Sequence, residues 1–156
     1  AEERGFLHRD YIAHCLRWSH VVKYLGTSQR YKSARVLDVG CGKEMPLSKL
    51  LHSSRMGTAW YGAVDVAPLV TPEQFRNASW KPHQLWSKTD VCTLKPDDFE
   101  APPSAIVCFE VAEHVEPDHC RRMLAKFHEL LEDEGRVFIS TPCYDAHTGA
   151  AANPCQ

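Results

Sequence analysis

The segment Val36-Leu37-Asp38-Val39-Gly40-Cys41-Gly42-Lys43-Glu44 decides the fold of this chain. An apolar run ends in two closely spaced glycines, and Pro46 follows at a place typical of a first helical turn, where a missing N–H costs nothing. The pattern predicts a buried strand, a tight turn and a helix. Glycine lets the backbone bend sharply and lets a ligand approach it. Such a turn at the carboxyl end of a parallel strand binds nucleotide-like ligands in open α/β sheets, although G-x-G also occurs in ordinary strand-to-helix turns.

Composition and charge limit the class of protein. The 156 residues are 44% hydrophobic and 24% charged, as expected of one globular domain with its own core. The net charge of −2 argues against a strong polyanion binder, although residues 1–60 carry ten Lys and Arg against five Asp and Glu. That local excess favours either a solvated helix face or a weak phosphate-facing patch.

Cysteine usage and hydropathy indicate a compartment. The chain has seven cysteines, no C-x-x-C pair, no secretory signal and no apolar run long enough to cross a membrane. Reduced thiols in a cytoplasmic protein are the simplest explanation of these features. We therefore expect no membrane partner.

Strands and helices alternate along the chain. Apolar residues at helical spacing predict amphipathic helices, and short apolar runs predict strands buried on both faces. This alternation predicts a parallel sheet with right-handed crossovers. The predicted elements are a helix over 8–25 that Gly26 stops, strands at 35–39, Trp60–Val66, Ala105–Phe109 and Val137–Ser140, a helix from Pro46 to Arg55, a short helix and a short strand between Ala67 and Asp90, and a helix from Pro117 that Gly135 caps.

Five features occur in the order and spacing of one family. Val36–Gly42 resembles motif I of class I S-adenosylmethionine-dependent methyltransferases, and Asp65 ends strand two, where that family has an acid. Thr89–Val91 resembles the segment after strand three, Phe109–Val115 resembles the E-V-x-E-H-V segment, and Leu130–Pro142 resembles the segment with a glycine, strand five and S-T-P. The most similar subgroup includes ubiquinone-pathway O-methyltransferases and RNA 3′-terminal 2′-O-methyltransferases.

The resemblance implies an α/β fold. We expect a Rossmann-like parallel sheet of strand order 3-2-1-4-5, truncated after strand five and preceded by an N-terminal helix. Residues 1–34 are expected to form a helical segment that covers the cofactor cleft, 35–142 the cofactor-binding core, and 143–156 a loop or disordered tail. The family's sheet continues beyond strand five, so the exposed edge predicts a fragment, a covering partner or tail, or self-association through that edge.

The resemblance also implies S-adenosylmethionine as the cofactor. Backbone N–H groups of the glycine turn suit an anionic or ribose group, and the Asp65 carboxylate suits two ribose hydroxyls. Asp90 suits the adenine amino group, with an N-cap as its alternative role, and the Val91 N–H suits a ring nitrogen. Asp38 either stabilises the turn or reaches the cofactor's ammonium through water. The implied cofactor-binding set is Asp38, Gly40, Cys41, Gly42, Asp65, Val66, Asp90, Val91, Glu110 and Val111.

One position departs from the family pattern. Glu44 stands where the family commonly has a third glycine. Three arrangements would accommodate this carboxylate: a wider loop, a side chain turned to solvent, or a pairing with Lys43 or the cofactor ammonium.

Three residues are candidates for catalysis. Glu110, Glu113 and His114 follow the carboxyl end of a strand, the usual edge for a site. A base assists methyl transfer to a hydroxyl, and histidine has a suitable ordinary pKa; local capping or pairing is the alternative. In the RNA enzymes, the same E-x-x-E-H arrangement and a further histidine downstream hold a divalent metal. The downstream candidates here are His119, His128 and His147, but none is a clear fourth ligand, so we predict no metal site.

Three functions are compatible with these features. The first is a methyltransferase acting on a small molecule or a nucleic acid. Tyr11, His14 and Trp18 of the first helix are candidates for contacts in the cleft, with core packing as the alternative role of Trp18. The second is a non-catalytic cofactor-binding or interaction module that lacks its acceptor half. The third, a nicotinamide-dependent oxidoreductase, requires G-x-G-x-x-G, and Met45 occupies the place of the last glycine.

Overall fold

The computed structural model describes residues 9–27, 33–53, 58–69 and 82–141, and within them the side chains of 9–13, Thr27 and Ser53 are left undescribed. The predicted short helix after strand two and the predicted tail over 143–156 lie outside the described residues. The chain forms helices α1 (Arg9–Thr27), α2 (Pro46–Ser53) and α3 (Pro117–Leu130), and strands β1 (Arg35–Val39), β2 (Trp60–Asp65), β3 (Gln84–Ser87), β4 (Ala105–Phe109) and β5 (Arg136–Ser140).

The five strands form one sheet of order β3-β2-β1-β4-β5, in which all neighbouring strands are parallel. This confirms the predicted fold class and strand order. Because β1 is central and the chain crosses from β3 to β4, the order reverses beside β1. A ligand crevice forms at such a switch point, outside the carboxyl ends of the strands.

Helices cover both faces of the sheet. Val36 of β1 packs on one face with Val21 and Leu25 of α1 and with Leu51 of α2. Leu37 packs on the other face, in a cluster that also contains Met123, Phe127 and Leu130 of α3. Alternate residues of β1 are therefore buried on opposite faces, which explains why the adjacent residues Val36 and Leu37 are both apolar.

Two predicted helix ends are wrong. Gly26 lies inside α1, which continues to Thr27, because a single glycine weakens a helix by only about 1 kcal/mol. Gly135 does not cap α3, since the helix ends at Leu130, five residues earlier, and the Leu131 N–H donates to the Phe127 carbonyl. A Cβ atom on Gly135 would lie 2.5 Å from the side chain of Leu131, so glycine serves a close approach there.

Strand β5 pairs with β4 alone in the part of the chain that the structure describes. Val137 and Ile139 on this strand are 38% and 43% exposed, and Leu16 of α1 is 67% exposed. The predicted open, apolar edge is therefore present among the described residues. None of the described helices is both long and apolar enough to cross a membrane.

The two glycines of the turn differ in their surroundings, which gives a matched pair of variants. Both have left-handed backbone, with φ of 70° at Gly40 and 64° at Gly42. A Cβ atom on Gly40 would lie 2.3 Å from Val111 Cγ2, whereas one on Gly42 would meet nothing within 4 Å. We expect Gly42→Ala to lower the free energy of unfolding by about 1 kcal/mol through backbone strain.

Gly40→Ala is expected to cost about 1–3 kcal/mol more, because overpacking adds to the same strain. Urea unfolding of the two variants measures the difference. Equal losses would contradict the close approach between the turn and Val111.

Candidate active site

The glycine turn is fastened to the end of β2. The Gly40 N–H donates to the Val64 carbonyl at 2.9 Å, and the Gly42 N–H donates to Asp65 Oδ2 at 2.9 Å. Asp65 Oδ1 accepts a further bond from the Ala67 N–H at 2.8 Å. The carboxylate thus orients the turn, and each of its oxygens retains capacity for a ligand hydroxyl.

A cavity of about 270 Å³ opens at the carboxyl ends of β1, β2 and β4; we call it the first cavity. It is mostly apolar, with acidic side chains from three different strand ends. Seven of the ten residues predicted to bind cofactor line it, together with His114. These seven are Gly40, Asp65, Val66, Asp90, Val91, Glu110 and Val111.

A second cavity, of about 530 Å³, lies on the other side of the turn. The remaining predicted residues, Asp38, Cys41 and Gly42, line it. Gly40 and Glu110 line both cavities, so they stand between them. The structure therefore gathers all ten predicted residues at one edge of the sheet, as two adjoining cavities.

Helix α1 forms a wall of the second cavity. His14 and Trp18 line it, opposite Phe109 of β4. The two α1 rings are stacked, with centroids 5.3 Å apart and an interplanar angle of 20°. His14 and Trp18 therefore line the cleft, and Trp18 also packs against the core. The side chain of Tyr11, the third residue considered for the cleft, lies outside the described side chains.

Asp38 is buried and bonded to a residue that sequence reasoning missed. The hydroxyl of Tyr61, which is also buried, donates to Asp38 Oδ2. Burial raises the pKa of Asp38 to about 7, the nearby charge of Asp65 adds to the rise, and the Tyr61 hydrogen bond opposes it. Tyr61 is the second residue of β2, and the pattern of apolar residues along the strand would have assigned it only to the core.

Asp90 is an N-cap, which was the alternative to its predicted role in binding adenine. Its Oδ1 accepts from the Cys92 N–H at 2.9 Å and caps a short 3-10 turn, Val91–Thr93. Its Oδ2 lies 3.4 Å from His119 Nε2 on α3. Because Asp90 also lines the first cavity, the cap does not remove it from the site.

Glu110 connects three elements at the junction of the cavities. It has left-handed backbone, with φ of 57°, and its N–H donates to the Ser140 carbonyl of β5 at 2.9 Å. Its Oε1 accepts from Ser140 Oγ at 2.9 Å and lies 3.3 Å from an Arg17 guanidinium nitrogen of α1. Such a backbone costs a non-glycine residue about 1 kcal/mol or more, which these contacts offset.

Glu113 and His114 lie in a short 3-10 turn, Ala112–His114, after β4. The Glu113 side chain is 7% exposed and lines neither cavity, and its buried Oε2 has no hydrogen-bond partner among the described residues. His114 is 48% exposed, and its Nε2 lies 3.9 Å from Glu113 Oε1. Only His114 and Glu110 of the three candidates for chemistry therefore reach a cavity.

The ligand atoms of Glu110, Glu113 and His114 do not converge. Within the described ranges, the group whose ligand atoms all lie within 4.8 Å of one another is Asp90, Cys92 and His119. Spacing along the chain does not reveal this group, because α3 brings His119 against a turn more than twenty residues earlier. The i, i+2 spacing of Asp90 and Cys92 was the available signal.

Glu44 takes the solvent-directed arrangement among the three considered. Its side chain is 86% exposed, and it pairs with Lys49 of α2 at 2.8 Å, not with Lys43. The hydrogen bond from Lys49, together with its positive charge, lowers the pKa of Glu44. The carboxylate therefore does not fill the second cavity, although Glu44 contributes to its rim.

Known proteins resemble this chain in sequence and in fold. A family model described as a methyltransferase domain matches residues 8–155. A ubiquinone biosynthesis O-methyltransferase of Xylella fastidiosa (strain 9a5c) is 34% identical over 122 residues, which are 76% of this chain and 46% of the relative. The corresponding protein of Xanthomonas euvesicatoria pv. vesicatoria (strain 85-10) is 30% identical over 125 residues, covering 77% of this chain and 48% of the relative.

The chain thus spans about half the length of the curated relatives it matches. Among solved structures, magnesium protoporphyrin IX methyltransferase from Synechocystis PCC 6803, with bound S-adenosylmethionine, superposes with a TM-score of 0.59 at 16% identity, over 82% of this chain and 61% of that one. This likeness shows the fold. Given the family match over residues 8–155 and the sheet order, the chain belongs to the class I S-adenosylmethionine-dependent methyltransferase family.

Proposed function

We propose that this chain is an S-adenosylmethionine-dependent methyltransferase that methylates a hydroxyl on an aromatic acceptor. The observation that carries the proposal is the pair of cavities that meet at Gly40 and Glu110. A cofactor that spans this junction would place its reactive methyl group beside the second cavity, where an acceptor has room. Holding both reactants in line can supply roughly 7–11 kcal/mol of the barrier reduction.

In this proposal the first cavity holds the adenosine part. Asp65 accepts hydrogen bonds from the ribose hydroxyls while its bonds to the turn hold it in place. Asp90 and Val91 lie at the far end for adenine, and Val66 and Val111 provide apolar contact. Ionised acceptors make the stronger hydrogen bonds, which favours Asp65 as the main affinity determinant.

The second cavity would hold the methionine part and the acceptor. Asp38 and the backbone of Cys41 and Gly42 lie near the turn, where an ammonium and a carboxylate could be bound. The stacked rings of His14 and Trp18 suit a flat aromatic acceptor. The names of the curated relatives, which specify O-methylation, support a hydroxyl as the methyl acceptor.

A nucleic-acid acceptor is less consistent with the site. The similar RNA enzymes bind a metal through E-x-x-E-H, but here Glu110 contacts Arg17 and Ser140. We also propose that residues 1–34 cover the cleft, because His14, Arg17 and Trp18 of α1 all reach its lining or its junction residue. Residues 35–142 would then form the cofactor-binding core.

The reaction transfers the methyl group from the sulfonium to the acceptor oxygen, and the hydroxyl proton passes to a base. We assign the base to Glu110, because it alone of the three candidates lines the second cavity, where the acceptor would lie. His114 lines the first cavity and would contact the cofactor, and Glu113 lies beside it and orients its ring. The three candidates thus have distinct proposed roles.

The proposal is tested by binding and turnover. Calorimetry is expected to show one equivalent of S-adenosylhomocysteine bound and no binding of NADH. Labelled S-adenosylmethionine is then expected to methylate members of a panel of phenols on oxygen. Cofactor binding without turnover on any panel member would favour the non-catalytic module, and binding of NADH alone would favour the oxidoreductase.

Asp65→Asn tests the ribose contact. Loss of the charged acceptor is expected to weaken S-adenosylhomocysteine binding by about ten- to a hundred-fold, since a hydrogen bond to a charged group contributes about 1.5–3 kcal/mol. Calorimetry measures the change, with the exposed Asp97→Asn as the matched control. Unchanged affinity in the Asp65 variant would contradict the placement of the ribose.

The raised pKa of Asp38 predicts how the free energy of unfolding depends on pH. Between its ordinary value of 3.8 and about 7, the folded protein holds a proton that the unfolded chain releases. This group's contribution to stability is therefore complete below pH 3.8, falls as the pH rises through 7, and is constant above that.

Asp38→Asn mimics the protonated form. We expect it to match the original protein in stability near pH 4.5 and to be more stable at pH 8, by up to about 4 kcal/mol, because each pKa unit corresponds to about 1.4 kcal/mol. The same variant should bind S-adenosylhomocysteine more weakly at pH 8, where it lacks a charge for the ammonium. Urea unfolding at both pH values measures stability, and a pH-independent difference would refute the buried carboxylate's role.

Glu110→Gln tests the base, with the exposed Glu100→Gln as its control. Loss of a general base is expected to lower kcat by about 10²–10⁴-fold while S-adenosylhomocysteine affinity changes little. Steady-state kinetics separates kcat from KM. If His114→Asn loses kcat to that extent and Glu110→Gln keeps it, the base is His114.

We further propose that the open edge of β5 mediates self-association. Val137, Ile139 and Leu16 present exposed apolar side chains along this edge, and unpaired strand edges favour pairing with another chain. Sedimentation velocity should show concentration-dependent dimers that Ile139→Lys converts to monomers. A monomer at all concentrations would exclude this use of the edge.

A further inference from the structure

Three side chains of different chemistry converge at the adenine end of the first cavity. Asp90 and Cys92 come from the turn after β3, and His119 comes from the first turns of α3. His119 Nε2 lies 3.4 Å from Asp90 Oδ2 and 3.9 Å from Cys92 Sγ. All three are half-buried, so they are reachable from solvent but held by the surrounding structure.

We propose that Asp90, Cys92 and His119 form a Zn²⁺ site, and that zinc bound there excludes the adenine of the cofactor. Carboxylate oxygen, imidazole nitrogen and thiolate sulfur are the ligand types that zinc prefers. Three protein ligands leave one of the four tetrahedral positions for water, as in zinc sites that exchange ligands.

The spacing of the ligand atoms fits a tetrahedral ion. Zinc bonds of about 2.05 Å to nitrogen and oxygen and about 2.3 Å to sulfur give tetrahedral edges of about 3.3 Å between O and N and about 3.6 Å between S and N. The structure has 3.4 Å and 3.9 Å for these two edges. Side-chain rotations that shorten these separations by a few tenths of an ångström would therefore bring the ligand atoms to zinc-bonding distances.

Local contacts already hold two of the ligands in place. Asp90 Oδ1 accepts from the Cys92 N–H, which sets the turn and leaves Oδ2 as the oxygen nearest to His119. This bond orders Asp90 and Cys92 before zinc binds, which reduces the ordering that zinc binding requires. The Arg122 guanidinium donates to His119 Nδ1 at 3.0 Å in the zinc-free protein and must release the ring when zinc binds.

Two protons move when zinc binds. Arginine only donates hydrogen bonds, so in the structure His119 Nδ1 accepts and Nε2 carries the proton. On zinc binding that proton moves to Nδ1, the exposed Arg122 turns to solvent, and Nε2 bonds the metal. The Cys92 thiol releases its proton to solvent, and no redox change occurs.

The exclusion rests on the proposed function, because it assumes that Asp90 accepts from the adenine amino group. The carboxylate oxygen nearest to His119 is Oδ2, since Oδ1 caps the turn. Zinc and adenine would therefore compete for one oxygen. By linkage, each must weaken the affinity of the other by the same factor.

Calorimetric titration of the reduced full chain with Zn²⁺, without cofactor, tests the site itself. We expect one equivalent bound, with the affinity weakened at least ten-fold by Cys92→Ser and by His119→Gln. The control Cys15→Ser, on α1, should keep the original affinity, as should a double variant of Cys143 and Cys155. Zinc affinity that is unchanged in Cys92→Ser and His119→Gln would overturn the site.

Cobalt substitution gives a second readout that a folding defect would not imitate. Co²⁺ bound at the site should show a thiolate-to-metal charge-transfer band that Cys92→Ser abolishes while circular dichroism remains that of the original protein. A band that persists in Cys92→Ser would also overturn the assignment.

A zinc titration in the presence of saturating S-adenosylhomocysteine tests the exclusion. The apparent Kd for zinc should rise at least ten-fold, and zinc should raise the Kd for S-adenosylhomocysteine by the same factor. An apparent Kd for zinc that is unchanged by bound S-adenosylhomocysteine would overturn the proposed exclusion. If the chain binds no S-adenosylhomocysteine, the proposed function fails, whereas the cofactor-free titrations still decide the metal site.

Discussion

The bond between the Gly42 N–H and the Asp65 carboxylate is the constraint on which the site depends. It joins the turn after β1 to the end of β2, and the neighbouring bond from the Gly40 N–H to the Val64 carbonyl reinforces it. Two left-handed glycines are needed to present both N–H groups to β2. Because the turn separates the two cavities, its position sets the shape of both.

The buried carboxyl group of Asp38, at the edge of the sheet where the cavities open, lowers the stability of the folded protein. Asp38 lies on the central strand, with Tyr61 of the neighbouring strand as its hydrogen-bond donor. Burying a carboxyl group favours its neutral form, and the proximity of Asp65 adds to that effect. Perturbed groups of this kind cluster at functional sites, which agrees with the location of Asp38 on the wall of the second cavity.

The sequence predicted the regular elements better than their ends. Strands β1 and β4 have their predicted bounds, because short apolar runs between breakers leave little freedom. The helix ends predicted from Gly26 and Gly135 were wrong. A glycine can mark a helix end, a tight turn or a close side-chain approach, and the sequence does not distinguish these roles. Glu113 was predicted to be catalytic from its place in the E-V-x-E-H-V segment, but the turn after β4 buries its side chain away from both cavities.

The sequence alone determined the fold class, the strand order and the residues gathered at the crevice. The fold class follows from local apolar periodicity and from the glycine turn, whereas the strand order and the site residues follow from the resemblance of five motifs to those of class I methyltransferases. The tertiary structure decided which side chains touch: Tyr61 with Asp38, Arg17 with Glu110, and His119 with Asp90 and Cys92. Such contacts depend on how strands pair and how helices pack over the sheet, and residue spacing along the chain does not encode those distances.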